Sequence, residues 1–553
     1  MNMGRTNKRL ALFMGFALLF LAALLVRAFY VQVIAAPGLQ EKADSQHIRT
    51  VQLDAPRGVI YDRDGERLAI SQTMATVYAN PSQIKDPAGV ARRLAPILGS
   101  SREELLAKLT RESGFEYLAR KIEQAAGQQV KDLKIPGVSV CSEDKRVYPK
   151  GALAPQLLGF VGTDNVGLAG VEKEYDQVLS GQPGRLQVVS DLAGNRLSTI
   201  SVEEARPGDS ITLTIDEDIQ FETEKVLTGV VEEFQAKKAS AVVIDPTNGE
   251  ILAMANTPVF DTNAFGSVEE QDRRNSVVTD QYEPGSTFKM VVTAAALEAG
   301  LVTPETTFSL GREIQVYDRV VHESHENIPA VRELTVTQIL AQSSNVGAVK
   351  LGLEVGKKRL VDLIRRFGFT ERLGIDFPGE AAGQMLAPEK WSGTTIANVP
   401  IGQGIATSPL HLAAAYAAIA NNGQLVQPHL VRGGEEPWTR RVVSETVAAQ
   451  LRDMLSVSVS IGTGKQARVE GYEVAGKTGT AQKVNADGSG YAEDRFIASF
   501  VGMVPADAPR LVILVMVDEP VNAHLGAYVA APAFAKIADF ALKRLGIAPT
   551  AAD

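Results

Sequence analysis

Ser286 and Lys289, in Glu283-Pro-Gly-Ser-Thr-Phe-Lys289, put a hydroxyl and an amine three residues apart. The apolar run Met290 to Leu297 follows and reads as a buried helix stopped by Gly300. Pro284 and Gly285 place Ser286 at the first turn of that helix. Positions i and i+3 share a helix face, so the Lys289 amine can take the Ser286 proton and leave an activated nucleophile. Burial favours this, because a low dielectric lowers the affinity of a lysine for its own proton. A Ser-x-x-Lys pair is expected roughly twice by chance in a chain of this length, so the pair alone decides nothing. Two further elements change that: Gln342-Ser-Ser-Asn-Val-Gly347, and Ala475-Gly-Lys-Thr-Gly-Thr-Ala481. A Lys-Thr-Gly triplet arises by chance only about a tenth of a time, and here all three elements occur in one chain.

The elements that must hold these residues are legible around them. Ile211 to Ile215 alternates as a strand, Asp216 caps a helix running to about Phe234, and Ala241 to Ile244 reads as a buried strand. The turn Pro246-Thr-Asn-Gly249 returns Ile251 to Ala255 as its hairpin partner. Phe496 to Met503 and Leu511 to Val517 form a second strand pair, and Pro532 to Leu545 a closing amphipathic helix. Strands at both ends with helices between predict one antiparallel sheet with a helical insert, the Ser286 helix facing it. A composition shift at Arg206-Pro-Gly-Asp209 marks the boundary with an earlier mixed α/β region. In that region Ala55 to Ala69 reads as strands joined at an Asp-Gly turn, a salt-bridged structural corner. Ser101 to Glu104 opens a short helix, and Leu118 to Leu133 has helical spacing. Nothing there forms a catalytic constellation.

Leu10 to Val26 is an uninterrupted apolar run, preceded by Arg5, Lys8 and Arg9 and followed by Arg27. It predicts a membrane helix lengthened by Ala28 to Val31, with a cytoplasmic amino terminus and everything after Val33 outside. A cleaved signal peptide is the rival reading, with Ala35-Ala36 a weak cleavage site. The expected organisation is α+β multidomain: residues 1–35 an anchor, 47–206 a mixed α/β pedestal, and 211–546 a catalytic domain with a central antiparallel sheet flanked by helices. At 553 residues, 45% hydrophobic and 22% charged, the chain has the composition of a folded protein of two or three domains. A net charge of −9 argues against nucleic acid as partner. Cys141 is the only cysteine, which excludes an intramolecular disulfide and a cysteine metal site.

With these motifs in hand, the sequence resembles the class B penicillin-binding proteins, the monofunctional peptidoglycan D,D-transpeptidases. Arg57-Gly58 with Asp62-Arg63 and Gly65, Lys145-Arg-Val-Tyr-Pro149, Gly170 with Glu172, and Gly462-Thr-Gly464 also look like segments of that family. Val77 to Pro81 and the short pedestal look more like its division-specific, penicillin-binding protein 3-like branch than its elongation branch. The resemblance implies a serine acyl-enzyme. Ser286 would attack the penultimate D-alanine carbonyl of a stem peptide, Lys289 would take its proton, and Ser343 would relay a proton to the leaving D-alanine. Asn345 would orient Lys289 and the substrate amide. Lys477, Thr478, Gly479 and Thr480 would hold the terminal carboxylate, with the backbone N–H groups of Ser286 and Thr480 as oxyanion hole. The implied partners are stem peptides, β-lactams, a membrane glycosyltransferase polymerase and divisome proteins, with no cofactor or metal.

Two stretches invite other readings. Gly462-Thr-Gly464-Lys465 looks like a phosphate loop, but Val459 stands where its first glycine belongs and Gln466 where Ser or Thr belongs. His322-Glu-Ser-His-Glu326 has ligand-type residues without the zinc-helix spacing, and reads as an exposed acidic loop. An elongation-branch enzyme, a β-lactamase or β-lactam sensor, and a docking protein that kept the fold are the remaining alternatives.

Overall fold

The structure, a computed structural model, describes residues 3–37, 48–53, 55–190, 196–324, 328–485 and 490–549. It divides into two compact units, residues 1–56 with 181–208, and residues 57–180 with 209–553.

The first unit contains the helix Met3–Phe29, which runs into a π turn at Tyr30–Ile34. Asn7–Ile34 spans 28 residues, its most apolar 18-residue window has a mean hydropathy of 2.4, and its large apolar side chains are exposed. At about 1.5 Å per residue this exceeds a hydrocarbon core of about 30 Å. The expected run Leu10 to Val26 lies inside it, and the Arg27 guanidinium sits 5.5 Å from the Tyr30 ring. The unit also holds a three-stranded antiparallel sheet, with Gly184–Ser190 between Ile48–Leu53 and Arg196–Glu203.

In the second unit, residues 57–180 are built on the long strand Arg67–Ala79, paired with Glu116–Ile122 and Val138–Val147. The helix expected over Leu118 to Leu133 is instead the end of that second strand followed by a helix, Gln124–Asp132. Pairing with Arg67–Ala79 overrides the helical spacing of the first half. The corner around Arg57 is a buried ion cluster. Glu172 accepts from Arg57 Nε and Arg146 Nε at 2.6 Å each, and Arg57 Nη1 reaches Asp176 at 2.6 Å. With every partner present the charges are compensated, and the node is structural, as the sequence suggested.

The core of the unit is a five-stranded antiparallel sheet in the order Ile251–Asn256, Lys238–Ile244, Leu511–Asp518, Tyr491–Val504, Ala475–Val484. Leu511–Asp518 shows how it is held. Leu511, Ile513, Val515 and Val517 enter one apolar cluster with the helices Glu217–Phe234 and Gly526–Arg544. Val512, Leu514 and Met516 enter another with Pro409–Ala420 and Lys289–Glu298. Both faces are dry, so the strand reads as a continuous apolar run. Both strand pairs expected from the ends of this region are present in one sheet. The Lys477 strand, Ala475–Val484, is its edge.

Candidate active site

Ser286 lies in a single 3₁₀ turn, Gly285–Phe288, and the α-helix proper begins at Lys289 and ends at Glu298. The sequence placed Ser286 in the first α-helical turn. The tighter turn arises because Gly285 takes φ 56°, a conformation that favours glycine, and Thr287 Oγ1 donates to Pro284 O at 2.7 Å. Met290 to Leu297 is wholly buried, and Gly300, at φ 63°, follows the helix end as expected. The turn sits against the edge strand: a Cβ on Gly285 would lie 3.3 Å from Thr480 O. On the strand, a Cβ at Gly479 would stand 2.4 Å from Ser499 Oγ and 3.0 Å from Thr287 Cγ2, so only glycine lets turn and strand meet.

Lys289 is 1% exposed, and its Nζ donates to Ser343 O at 2.6 Å, Asn345 Oδ1 at 2.7 Å and Ser343 Oγ at 3.2 Å. Burial pushes its pKa down to about 7, against the opposing pull of the Glu323 charge. Ser343 presents its carbonyl to the amine from a left-handed backbone, φ 60°. The half-buried Ser286 hydroxyl makes no hydrogen bond among the described residues, so the amine is shared by Ser343 and Asn345 and not by Ser286.

Lys477 is fully buried, and its Nζ reaches only Thr478 O at 3.2 Å and Thr478 Oγ1 at 3.4 Å among the described residues. Burial first, then the Lys289 charge, holds its pKa well below the usual lysine value. Burial therefore lowers the proton affinity of both lysines, opposed at Lys289 by the Glu323 charge, which residue types alone do not reveal. Thr480 Oγ1 accepts from Gly526 N at 3.1 Å, leaving its hydroxyl hydrogen to donate outward.

Two contributors escaped the sequence reading. Thr463, from the stretch that imitates a phosphate loop, is 2.8 Å through Oγ1 from Thr478 Oγ1, and its N–H donates to Ala341 O at 3.3 Å. It ties the segment before Ser343 to the Lys477 strand, and a Cβ at Gly462 would strike Ala341 O at 2.3 Å. Glu323, read as part of an exposed acidic loop, is buried and accepts from the backbone N–H of Asn345 at 2.7 Å. A carboxylate is buried only where donors converge on it, and those donors come from residues distant in sequence. His325 and Glu326 of the same stretch lie outside the described residues.

The chain belongs to the penicillin-binding protein transpeptidase family. Residues 239–539 match the penicillin binding protein transpeptidase domain, and residues 52–213 the penicillin-binding protein dimerisation domain. Among its relatives it is 34% identical to the peptidoglycan D,D-transpeptidase FtsI of Escherichia coli, over 98% of this chain and 93% of that one. It is 35% identical to the probable peptidoglycan D,D-transpeptidase PbpC of Pseudomonas aeruginosa, over 99% and 97%. It also resembles the structure of penicillin binding protein 3 from Mycobacterium tuberculosis complexed with ampicillin, with a TM-score of 0.72, 30% identity, and 91% of this chain and 98% of that one covered.

Proposed function

We propose that this protein is a membrane-anchored peptidoglycan D,D-transpeptidase acting through a Ser286 acyl-enzyme in septal wall synthesis. The observation that carries the chemistry is the buried Lys289 amine, its pKa pushed down to about 7 so that the neutral form is substantially populated, held by Ser343 and Asn345 beside the Ser286 turn. With a stem peptide bound, Ser286 Oγ forms a bond to the penultimate D-alanine carbonyl carbon while its proton passes to Lys289. The C–N bond to the terminal D-alanine then breaks, and the proton reaches the leaving amine through the Ser343 hydroxyl. An amine from a neighbouring strand repeats the sequence in reverse and closes the cross-link. The Ser286 and Thr480 backbone N–H groups form the oxyanion hole, worth about 3 to 4 kcal/mol per donor in other acyl-transfer enzymes. Lys477, Thr478, Gly479 and Thr480 receive the terminal carboxylate.

The helix Met3–Phe29 anchors the chain as a single span with residues after it outside, as Arg5, Lys8 and Arg9 favour. Residues 47–206 serve as the pedestal and 211–546 as the catalytic domain. The septal role, with a membrane glycosyltransferase and divisome proteins as partners, is our reading of Val77 to Pro81 and the short pedestal, and the similarity to the peptidoglycan D,D-transpeptidase FtsI supports the chemistry. The chemistry is tested with fluorescent penicillin, which should label the wild type and not a folded Ser286→Ala variant; labelling that survives the substitution refutes the assignment. Depletion in cells tests the role, filaments supporting septal synthesis and rounded cells overturning it in favour of elongation.

A further inference from the structure

The turn carrying Ser343 and Asn345 is held from outside by a charged pair that the three motifs do not contain. Glu323 follows the hairpin Glu313–Val316 and Arg319–His322, and its N–H donates to Arg312 O at 3.0 Å. Its side chain is 4% exposed and accepts three hydrogen bonds: Ser344 Oγ at 2.5 Å, Asn345 N at 2.7 Å and Arg332 Nη2 at 2.8 Å. Ser344 caps the helix Asn345–Arg366 by accepting from Gly347 N at 2.9 Å. The carboxylate thus sits at the start of that helix, where donors and dipole favour a negative charge. Arg332, on the strand Val331–Thr335, spends its other arm on Gln342 Oε1 at 3.1 Å, so both ends of the Gln342-to-Asn345 turn are gripped.

The same segment fixes the Asn345 amide. Its Nδ2 donates to His322 O at 2.9 Å, and that carbonyl can only accept, so Oδ1 must be the end facing Lys289. Asn345 is therefore held by its backbone from Glu323 and by its side chain from the residue before it.

We propose that Glu323 is a positioning residue for acyl transfer, holding the Ser343-to-Asn345 turn, and through Asn345 the Lys289 amine, in line with Ser286. This rests on the transpeptidase reading above and adds a residue outside the three motifs. Glu323 also places a negative charge close enough to Lys289 to oppose the effect of burial on it. Among the described residues, the other charged groups around the amine are Lys477 from the edge strand and Arg332 behind Glu323. His322 and Glu313 on the hairpin are exposed and face one another at 3.1 Å.

The test compares the full-length wild type with Glu323→Gln and Glu323→Asp, measuring the acylation rate by a β-lactam against pH, with melting temperature followed in parallel. Glu323→Gln keeps the shape and removes the charge. Its acylation should slow by about tenfold or more, and the rising limb of its pH profile should move to lower pH, because Lys289 loses the charge that held its proton. Glu323→Asp keeps the charge one methylene short of its donors; it should slow acylation with the limb closer to the wild-type position. It also decides the matter if the Gln variant does not fold. A limb in Glu323→Gln that coincides with the wild type, or wild-type acylation rates in the folded variants, overturns the proposal. A wild type that is not acylated at all instead refutes the transpeptidase reading beneath it.

Discussion

Lys289 and Lys477 are the same residue type, both buried and close enough for their charges to interact, yet they should fail differently when replaced. Lys289 has acceptors on two sides and an ionisation near neutrality, so it can hold a proton briefly and return it. Only the neutral amine can accept the Ser286 proton. Acylation should therefore rise with pH through a limb near about 7, where burial places the ionisation of Lys289, and stay level above it. Lys289→Met should reduce acylation by about a hundredfold to ten-thousandfold at any β-lactam concentration. Lys477→Met should mainly raise the concentration needed, by about tenfold or more, because a charge-assisted contact to the carboxylate is lost. If Lys477→Met loses acylation entirely at saturation while Lys289→Met retains it, the roles are exchanged. The three motifs named these residues from the sequence. The companions Glu323 and Thr463 stayed hidden, because a glutamate in a charged stretch and a threonine between glycines carry no local mark of burial.

The contact between the Ser286 turn and its neighbours depends on glycines that accept no substitute. Gly402 has φ 77°, accepts through its carbonyl from Gly285 N at 3.2 Å, and would place a Cβ 2.1 Å from Gly285 O. Gly402→Ala adds a left-handed penalty of about 1–2 kcal/mol to an overpacking cost of about 1–3 kcal/mol. The expected result is a lower melting temperature together with slower penicillin labelling of the folded protein, since the displaced atoms belong to the turn that carries Ser286, the proposed nucleophile. Unchanged labelling would show that the turn is held from elsewhere. Element patterns were legible where one environment governed a whole segment, as in Leu511–Asp518, buried on both faces. They misled where the environment changed partway, as at Leu118 to Leu133, whose first residues pair with Arg67–Ala79 and whose later ones form a helix.

At the scale of the molecule, the helix Met3–Phe29 should remain in the mature protein, so its mass should correspond to an uncleaved chain; a form beginning near Pro37 would identify a signal peptide instead. The order of strands in the central sheet has a consequence for biogenesis. Lys238–Ile244 is among the first strands of the sheet to leave the ribosome and Leu511–Asp518 the last, yet the two are neighbours, and the Lys477 strand reaches the rest only through Tyr491–Val504 and Leu511–Asp518. Such distant pairing closes late, because the entropy of a long loop must be overcome before the contacts repay it. Until the last strand arrives, Ser286 and Lys477 belong to a chain with no sheet to join them. Under the proposed acyl-enzyme mechanism, a nascent chain should thus be unable to acylate until Leu511–Asp518 has been made and paired.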